Sequence, residues 1–373
     1  MAQGIKLHVA IHPTLCMPVY EQGESSLVTA FRWKNSVIPQ VLSRPTFWLF
    51  LLLHLLVRSL YMMGYILEAD DEFSILFISW DDMKVISGMT TFFEVFYTVQ
   101  CFTRYTKIYA NSRELLSVCL DFCMALRLHL GGTSMPHVRL ASRYCMASVL
   151  FFFCDIGDGG MTEEDWSELL NLGLATLQER SQLADVAQGL KTVKHVKSVI
   201  MLQWCADVTC CGHEIAERHG KVPSGNRVAM LSMLHRCRSL QSQVADNLDL
   251  PVPFAYFHVL NMMIVINLFL WAYGFGVANS AIATPVFFFS EVIFMGMAEL
   301  AADLLDPFGT DDVDFPVREW MYQFIRMNSL LLEMETTLPH WTKNKADDAF
   351  VLDMRSFLSK EVPLSIPGPG DDW

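Results

Sequence analysis

Four apolar segments separated by polar connections dominate the pattern of the chain. They cover residues 46–67, 85–106, 252–277 and 285–305, and the second is the weakest. Each has about the 20 residues that an α-helix needs to cross the hydrocarbon core of a bilayer. The pattern predicts four membrane-spanning helices, which the order of the chain groups into two hairpins.

The stretch between the hairpins, residues 111–250, is too polar to span a membrane and too apolar to be a linker. Its apolar residues recur at helical spacing. This spacing predicts helices at residues 116–130, 137–154, 163–183, 186–218 and 227–248. Thr162 and the acidic residues after it have the pattern of a capping box, which fits a helix start. We therefore expect a helical body inserted between two membrane hairpins.

Basic residues flank the first hairpin at both of its outer ends. Arg32, Lys34 and Arg44 precede it, and Arg104, Lys107 and Arg113 follow it. Basic residues near membrane helices favour the cytosolic side, so we expect both termini and the helical body in the cytosol or its equivalent. Arg58 interrupts the first segment, where it either extends toward the headgroups or pairs inside the assembly.

Composition supports a membrane protein and narrows the range of functions. The chain is 52% hydrophobic and only 18% charged, which is more apolar than a soluble domain of this size needs. Its net charge of −13 makes nucleic acid an unexpected partner. The sequence contains no phosphate-binding loop, no HExxH motif and no nucleophile elbow, so we do not expect an enzyme.

The ten cysteines show no overall metal-binding spacing. The run Cys210-Cys211-Gly212-His213 suggests zinc by residue type alone. The alternative is that the cysteines are buried thiols in a reducing compartment.

An acidic turn follows the last apolar segment. It reads Asp306-Pro307-Phe308-Gly309-Thr310-Asp311-Asp312-Val313-Asp314-Phe315. Pro307 and Gly309 end the helix, and Asp303 lies one helical turn upstream. Carboxylate oxygens on a bent loop are the ligands that calcium prefers, although the spacing is not that of an EF-hand. The turn is therefore either a calcium site or an acidic end to a helix.

A stripe of one glycine and two aromatic residues lies along the second apolar segment. Gly88, Phe92 and Phe96 are spaced by four residues, so they share one face of a helix. The stripe either packs against lipid or other helices, or forms an apolar constriction with copies of itself. One chain with four spans encloses no pore, so a constriction requires a cyclic oligomer.

Several of these stretches together resemble the bestrophin family of anion channels. The resemblance is carried by Arg32-Trp33-Lys34-Asn35-Ser36, Thr103-Arg104-Tyr105, Val252-Pro253-Phe254-Ala255-Tyr256 and, above all, the turn at residues 306–315 with Trp320. It runs in order from about Arg32 to about Leu338. It implies a pentamer with one central pore.

The resemblance also implies where the functional sites lie. The pore neck falls on Gly88, Phe92 and Phe96, where Gly88 departs from the bulky aliphatic residue usual in the family. A second, cytosolic aperture falls on Ser224 and Val228. A calcium clasp beside the neck falls on Asp303, Asp306, Asp311 and Asp314.

We therefore expect an all-α, multi-pass membrane protein with four transmembrane helices in two hairpins, assembled as a pentamer. Its predicted parts are an N-terminal cytosolic segment (1–45), a first hairpin with the neck helix (46–110), a cytosolic helical body (111–250), a second hairpin (251–305), the acidic turn with C-terminal helices (306–345) and a flexible tail (346–373).

The predicted function is passive conduction of chloride, with bicarbonate as a further candidate, gated by bound Ca²⁺. The expected partners are the protein itself, as a homopentamer, and the lipid bilayer of a plasma or organelle membrane. Two alternatives stay open at this point. The channel is permanently open and its acidic turn is structural, or the protein is a non-conducting membrane scaffold.

Overall fold

The computed structural model describes residues 33, 36–65, 80–156, 161–189, 195–220, 223–250, 254–309 and 313–333. Within these ranges the fold is all-helical, as expected from the sequence. The helices are α1 (Val37–Ser43), α2 (Pro45–Met62), α3 (Trp80–Leu130), α4 (Met135–Ile156), α5 (Glu163–Asn171), α6 (Leu177–Gly189), α7 (Val196–Arg218), α8 (Ser224–Asp249), α9 (Phe254–Gly276), α10 (Ala283–Asp303) and α11 (Val317–Glu333). The predicted tail, residues 346–373, lies outside the described residues.

Helix α3 is a single helix of 51 residues. The break predicted between the segment at 85–106 and the helix at 116–130 is therefore wrong, because both lie in one continuous helix. No glycine or proline occurs from residue 89 to residue 130, so nothing in the local sequence interrupts the helix. The predicted boundary between residues 110 and 111 falls inside it.

Helices α2, α9 and α10 pack together with the first part of α3. Pro45–Met62, Tyr256–Gly276 and Ala283–Asp303 are each long and apolar enough to cross a membrane. Close helix contact depends on small residues: a Cβ added at Gly276 would lie 2.6 Å from Val57 Cγ1. The chain therefore has a multi-pass membrane layer with at least three helices of spanning length.

Arg58 pairs inside this layer. Its guanidinium donates hydrogen bonds to the carbonyls of Ala278 and Ser280, the second at 2.8 Å. Both carbonyls belong to the connection between α9 and α10. Of the two alternatives for Arg58, pairing inside the bundle is confirmed.

A second apolar core joins the rest of α3 to α4, α7 and α8. Phe122, Leu126, Phe151 and Met201 are among its fully buried side chains. Five buried cysteines also belong to this core, namely Cys119, Cys123, Cys145, Cys205 and Cys237, and all five are free thiols. Small apolar thiols in a packed core fit the buried-thiol interpretation.

Two helix predictions in this body are wrong in their bounds. The segment 163–183 divides into α5 and α6, because Gly173 adopts a positive φ of 67° that ends the first helix. The helix predicted from residue 186 begins at Val196. The predicted capping box is confirmed: Thr162 Oγ1 accepts a hydrogen bond from the Asp165 N–H, and the Asp165 carboxylate accepts one from the Thr162 N–H.

Candidate pore and acidic turn

The two sides of α3 differ sharply in exposure within a single chain. Phe92 and Phe96 are 68% and 48% exposed, and Gly88 is exposed on the same face. Glu94 and Tyr97 are each only 4% exposed because they face the other helices of the chain. The predicted neck residues thus form an uncovered apolar stripe on a helix whose opposite side is packed.

The predicted cytosolic aperture lies at the start of α8. Ser224 is the first residue of this helix, and Val228, one turn later, is 70% exposed. The amide of Asn226 lies 3.1 Å from His129 Nδ1 in the last turn of α3. The aperture segment is therefore joined to the end of the helix that carries the neck stripe.

Helices α3 and α8 run side by side in opposite directions. Near the middle of α3, Arg104 donates hydrogen bonds of 2.7 and 3.1 Å to the carbonyls of Leu248 and Leu250, at the end of α8. Further along, Glu114 of α3 pairs with Arg236 of α8. One pair of packed helices therefore carries both predicted constrictions.

Helix α10 ends in two acidic residues that the N-terminal segment contacts. Glu299 Oε2 lies 2.7 Å from Arg44 Nη2, and Asp303 Oδ2 accepts a hydrogen bond of 3.1 Å from Gln40 Nε2. The hydrogen bond to Glu299 raises the pKa of Arg44, which stays charged. Gln40 of α1 and Arg44, which directly follows it, thus fasten this helix to the end of α10.

The acidic turn folds back on itself. Asp306 is exposed, whereas Asp314 is only 2% exposed. The Phe315 N–H donates a hydrogen bond of 2.9 Å to the Pro307 carbonyl, which closes the loop. A Cβ added at Gly309 would lie 3.0 Å from Asp314 Oδ2, so glycine allows the backbone to approach this carboxylate.

The turn packs directly on α3. Tyr105 donates a hydrogen bond from its hydroxyl to the Val313 carbonyl at 2.8 Å, and its ring lies 4.8 Å from that of Phe315. Tyr109, one helical turn later, contacts both Phe315 and Trp320 at 5.5 Å. This aromatic cluster connects the acidic turn to α3 about 14 Å along the helix from Phe96, at 1.5 Å per residue.

The residues predicted to bind calcium are only partly brought together among the described ranges. Asp303, Asp306 and Asp314 all lie at this turn, and Asp311 lies outside the described residues. No group of three or more His, Cys, Asp or Glu side chains within those ranges has an arrangement that would hold a metal ion. The buried Asp314 carboxylate lies close to the backbone at Gly309, and the calcium clasp stays a prediction.

Several residues at this site did not emerge from the sequence. Gln40 and Arg44 bind the end of α10, and Tyr109 contacts the turn with its ring in an edge-on arrangement. The spacing of Tyr105 and Tyr109, four residues apart on one helical face, is a signal that could have indicated a shared contact. No such spacing in the sequence indicates the contact that Gln40 makes with α10.

The family is decided by comparison with known proteins. A family model described as "Bestrophin, RFP-TM, chloride channel" matches residues 21–333. The chain belongs to the bestrophin family. Among curated proteins, none matches.

Solved bestrophin structures have the same fold. The chain resembles the crystal structure of a bacterial bestrophin homologue from Klebsiella pneumoniae with a tryptophan-to-alanine mutation (TM-score 0.65, 16% identity, 81% of this chain and 100% of that one). It is similarly close to the same homologue with a leucine-to-threonine mutation (TM-score 0.63, 16% identity, 80% and 99%). At this identity the likeness establishes the fold alone.

Proposed function

We propose that the protein assembles as a homopentamer around one central pore and conducts chloride passively, with bicarbonate as a second permeant anion. The uncovered stripe of Gly88, Phe92 and Phe96 is the observation that carries this proposal. Apolar side chains remain exposed along one face of α3 while its other face is packed. Five copies around an axis would cover the stripe and give a narrow apolar neck.

This assembly requires α3 to cross the membrane. The first part of α3 then forms the fourth span, beside α2, α9 and α10, and both termini lie in the cytosol. Phenylalanine rings suit an anion pathway because their edges carry partial positive charge, and an apolar constriction closes when it loses water. Val228 and Ser224 would line a second constriction at the cytosolic end.

Calcium is the proposed regulator. Asp303, Asp306, Asp311 and Asp314 would hold it at the acidic turn. Bound calcium would neutralise these carboxylates and link the turn into one rigid loop. Tyr105 belongs to α3 and donates a hydrogen bond to this turn. A turn made rigid by calcium would therefore restrain α3, the helix that carries the neck residues.

The test is anion flux from purified protein in liposomes, with free calcium clamped over a range of concentrations. An Asp311→Ala/Asp314→Ala variant is compared with Asp121→Asn, an exposed acid elsewhere on α3. Flux that rises with calcium and loses this dependence only in the double variant supports both parts of the proposal. The size of each assembly is measured in parallel, so that loss of flux is not mistaken for loss of the oligomer.

One alternative has a specific observation in its favour. Gly88 leaves the first neck ring without a side chain, and, apart from the adjoining helix itself, none of the described residues comes within 4 Å of a Cβ placed there. A wider ring favours a permanently open neck with a structural acidic turn. Flux that is indifferent to calcium would support this alternative, and an intact pentamer without flux would support a membrane scaffold.

A further inference from the structure

A chain of three polar side chains lies behind the outer end of the neck. Trp271 Nε1 of α9 is 2.5 Å from Ser87 Oγ of α3, and Ser87 Oγ is 2.7 Å from Asn267 Oδ1 of α9. Both hydrogen bonds connect α9 to α3, and one of the bonded residues, Ser87, is the direct neighbour of Gly88.

The chemistry of the three groups fixes the direction of both hydrogen bonds. An indole N–H is a donor only, so Ser87 Oγ accepts from Trp271. The hydroxyl proton of Ser87 is then free to donate to Asn267 Oδ1. Ser87 therefore accepts one hydrogen bond and donates the other, so every donor in this chain faces an acceptor.

Burial of the Asn267 amide costs free energy, and the contact with α3 is what would offset that cost. The side chain of Asn267 is fully buried, and it lies on a predominantly apolar helix of membrane-spanning length. Its Nδ2 has no hydrogen-bond partner among the described residues. A leucine of similar size would avoid this cost, whereas an amide can bind a neighbouring helix by hydrogen bonding inside a membrane.

A second contact holds the same end of α3. Met83 lies one helical turn before Ser87 and packs on Gly274 of α9, where an added Cβ would meet Met83 Cε at 2.6 Å. Met83 and Ser87 are therefore two successive points on one face of α3 that bind α9. Together they fix the position of the backbone at the outer end of the neck.

The position of the α3 backbone determines the width of the neck at Gly88. At Phe92 and Phe96, a change of rotamer alters how far each ring extends. At Gly88 the wall of the neck is the backbone itself, so only a movement of α3 changes the width there.

We propose that Asn267 and Trp271 are positioning residues that set the width of the Gly88 ring by holding Ser87. The inference rests on the proposed pore, because the neck has a width only in an assembled oligomer. Neither residue reaches the permeating ion. Both act through the hydroxyl of Ser87.

The test compares Asn267→Leu with Asn261→Leu in liposomes. Asn261 is a matched control, because it belongs to the same helix and its amide donates a hydrogen bond of 2.8 Å to the Phe257 carbonyl within that helix. We expect the ratio of gluconate flux to chloride flux to change about threefold in Asn267→Leu, the effect of losing one average hydrogen bond within a membrane. Asn261→Leu should keep the wild-type ratio. A smaller change in the same direction is expected for Trp271→Phe, which keeps an aromatic ring and loses the donor.

An unchanged ratio in Asn267→Leu, with the oligomer intact, would overturn the inference while leaving the pore in place. If the wild type conducts no anion, the proposed function fails separately. The inference is then decided by a thiol reagent, which should modify Gly88→Cys about threefold faster or slower when Asn267→Leu is added. The same modification rate in both backgrounds would refute it. If Asn267→Leu does not assemble, Trp271→Phe decides by the same two measurements.

Discussion

The hydroxyl of Tyr105 donates a hydrogen bond of 2.8 Å to the carbonyl of Val313, which joins the neck helix to the acidic turn. Tyr105→Phe removes this bond and keeps the ring against Phe315. One hydrogen bond contributes about 1 kcal/mol, so we expect half-maximal flux to need about fivefold more calcium. Titration of flux against free calcium measures this shift.

Tyr109→Phe is the matched control for this prediction. Tyr109 contacts the same turn through its ring, and that contact is retained in the variant, so its calcium response should follow the wild type. A Tyr105→Phe protein with the wild-type response would show that the hydrogen bond does not connect calcium to the neck.

Phe92→Ala should widen the neck without disturbing the packing of the chain. Phe92 is 68% exposed in a single chain, so its removal would open space on the axis of the proposed oligomer. We expect the flux of large anions to rise relative to chloride. Phe93→Ala is the comparison, because the half-buried Phe93 packs in the core of the membrane layer. That variant should lose thermal stability and keep its selectivity; the reverse pattern would place the pore on another face of α3.

The interaction of Arg143 with Glu179 predicts a dependence of stability on pH. Glu179 accepts hydrogen bonds from Arg143 at 2.6 and 2.9 Å, from the Tyr144 hydroxyl at 2.8 Å and from the Thr176 N–H at 2.8 Å. Burial alone would raise the pKa of Glu179, but these donors outweigh burial and lower the pKa below its usual value of 4.5. The folded-state pKa is below that of the unfolded chain, so the stabilisation is complete above pH 4.5 and is lost as pH falls through the lowered pKa.

Glu179→Gln should therefore lower the free energy of unfolding by about 2–4 kcal/mol at neutral pH, since it leaves Arg143 without its charge partner. Its difference from the wild type should shrink in acid. Thermal unfolding of the detergent-solubilised protein across pH measures both effects. Glu163→Gln breaks a pair with Arg180 in which the Glu163 side chain is 80% exposed, and should cost less than about 1 kcal/mol. Equal losses in the two variants would contradict the prediction.

Gly276→Ala should separate α2 from α9. The new Cβ would lie 2.6 Å from Val57 Cγ1 and 2.9 Å from Val57 Cβ, and the stiff valine side chain cannot move aside. We expect a loss of about 1–3 kcal/mol, visible as a lower unfolding temperature. Gly132→Ala should be neutral by comparison, because in the described part of the chain nothing beyond its direct neighbours comes within 4 Å of its Cβ position. A tolerated Gly276→Ala would mean that the two helices are less tightly packed.

Hydrophobic spacing located most of the described helices, but it did not predict α1 or the ends of several others. The helical start at Thr162 was predicted because a capping box is a local signal. The continuity of α3 was missed because its composition changes from apolar to mixed near residue 110. The composition follows the surroundings of the helix, which differ on the two sides of residue 110. It does not indicate whether the helical backbone continues.

Contacts between distant residues could not be predicted from the sequence. Tyr105 and Val313 are 208 residues apart, and Ser87 and Asn267 are 180 apart. No local pattern states which helices will be neighbours, so a polar residue on an apolar helix predicts a partner without identifying it. The acidic residues of the turn were recognised because they are close together in the chain.

The unbroken length of α3 has a mechanical consequence. Its 51 residues make a rod of about 76 Å, and Gly88 lies about 26 Å from Tyr105 along it. Without a hinge between them, a tilt of about 5° pivoting at Tyr105 would move Gly88 sideways by about 2 Å. In the proposed pentamer, a small tilt of each α3 about its contact with the acidic turn would therefore change the width of the outer neck, while every local hydrogen bond of the helix stays intact.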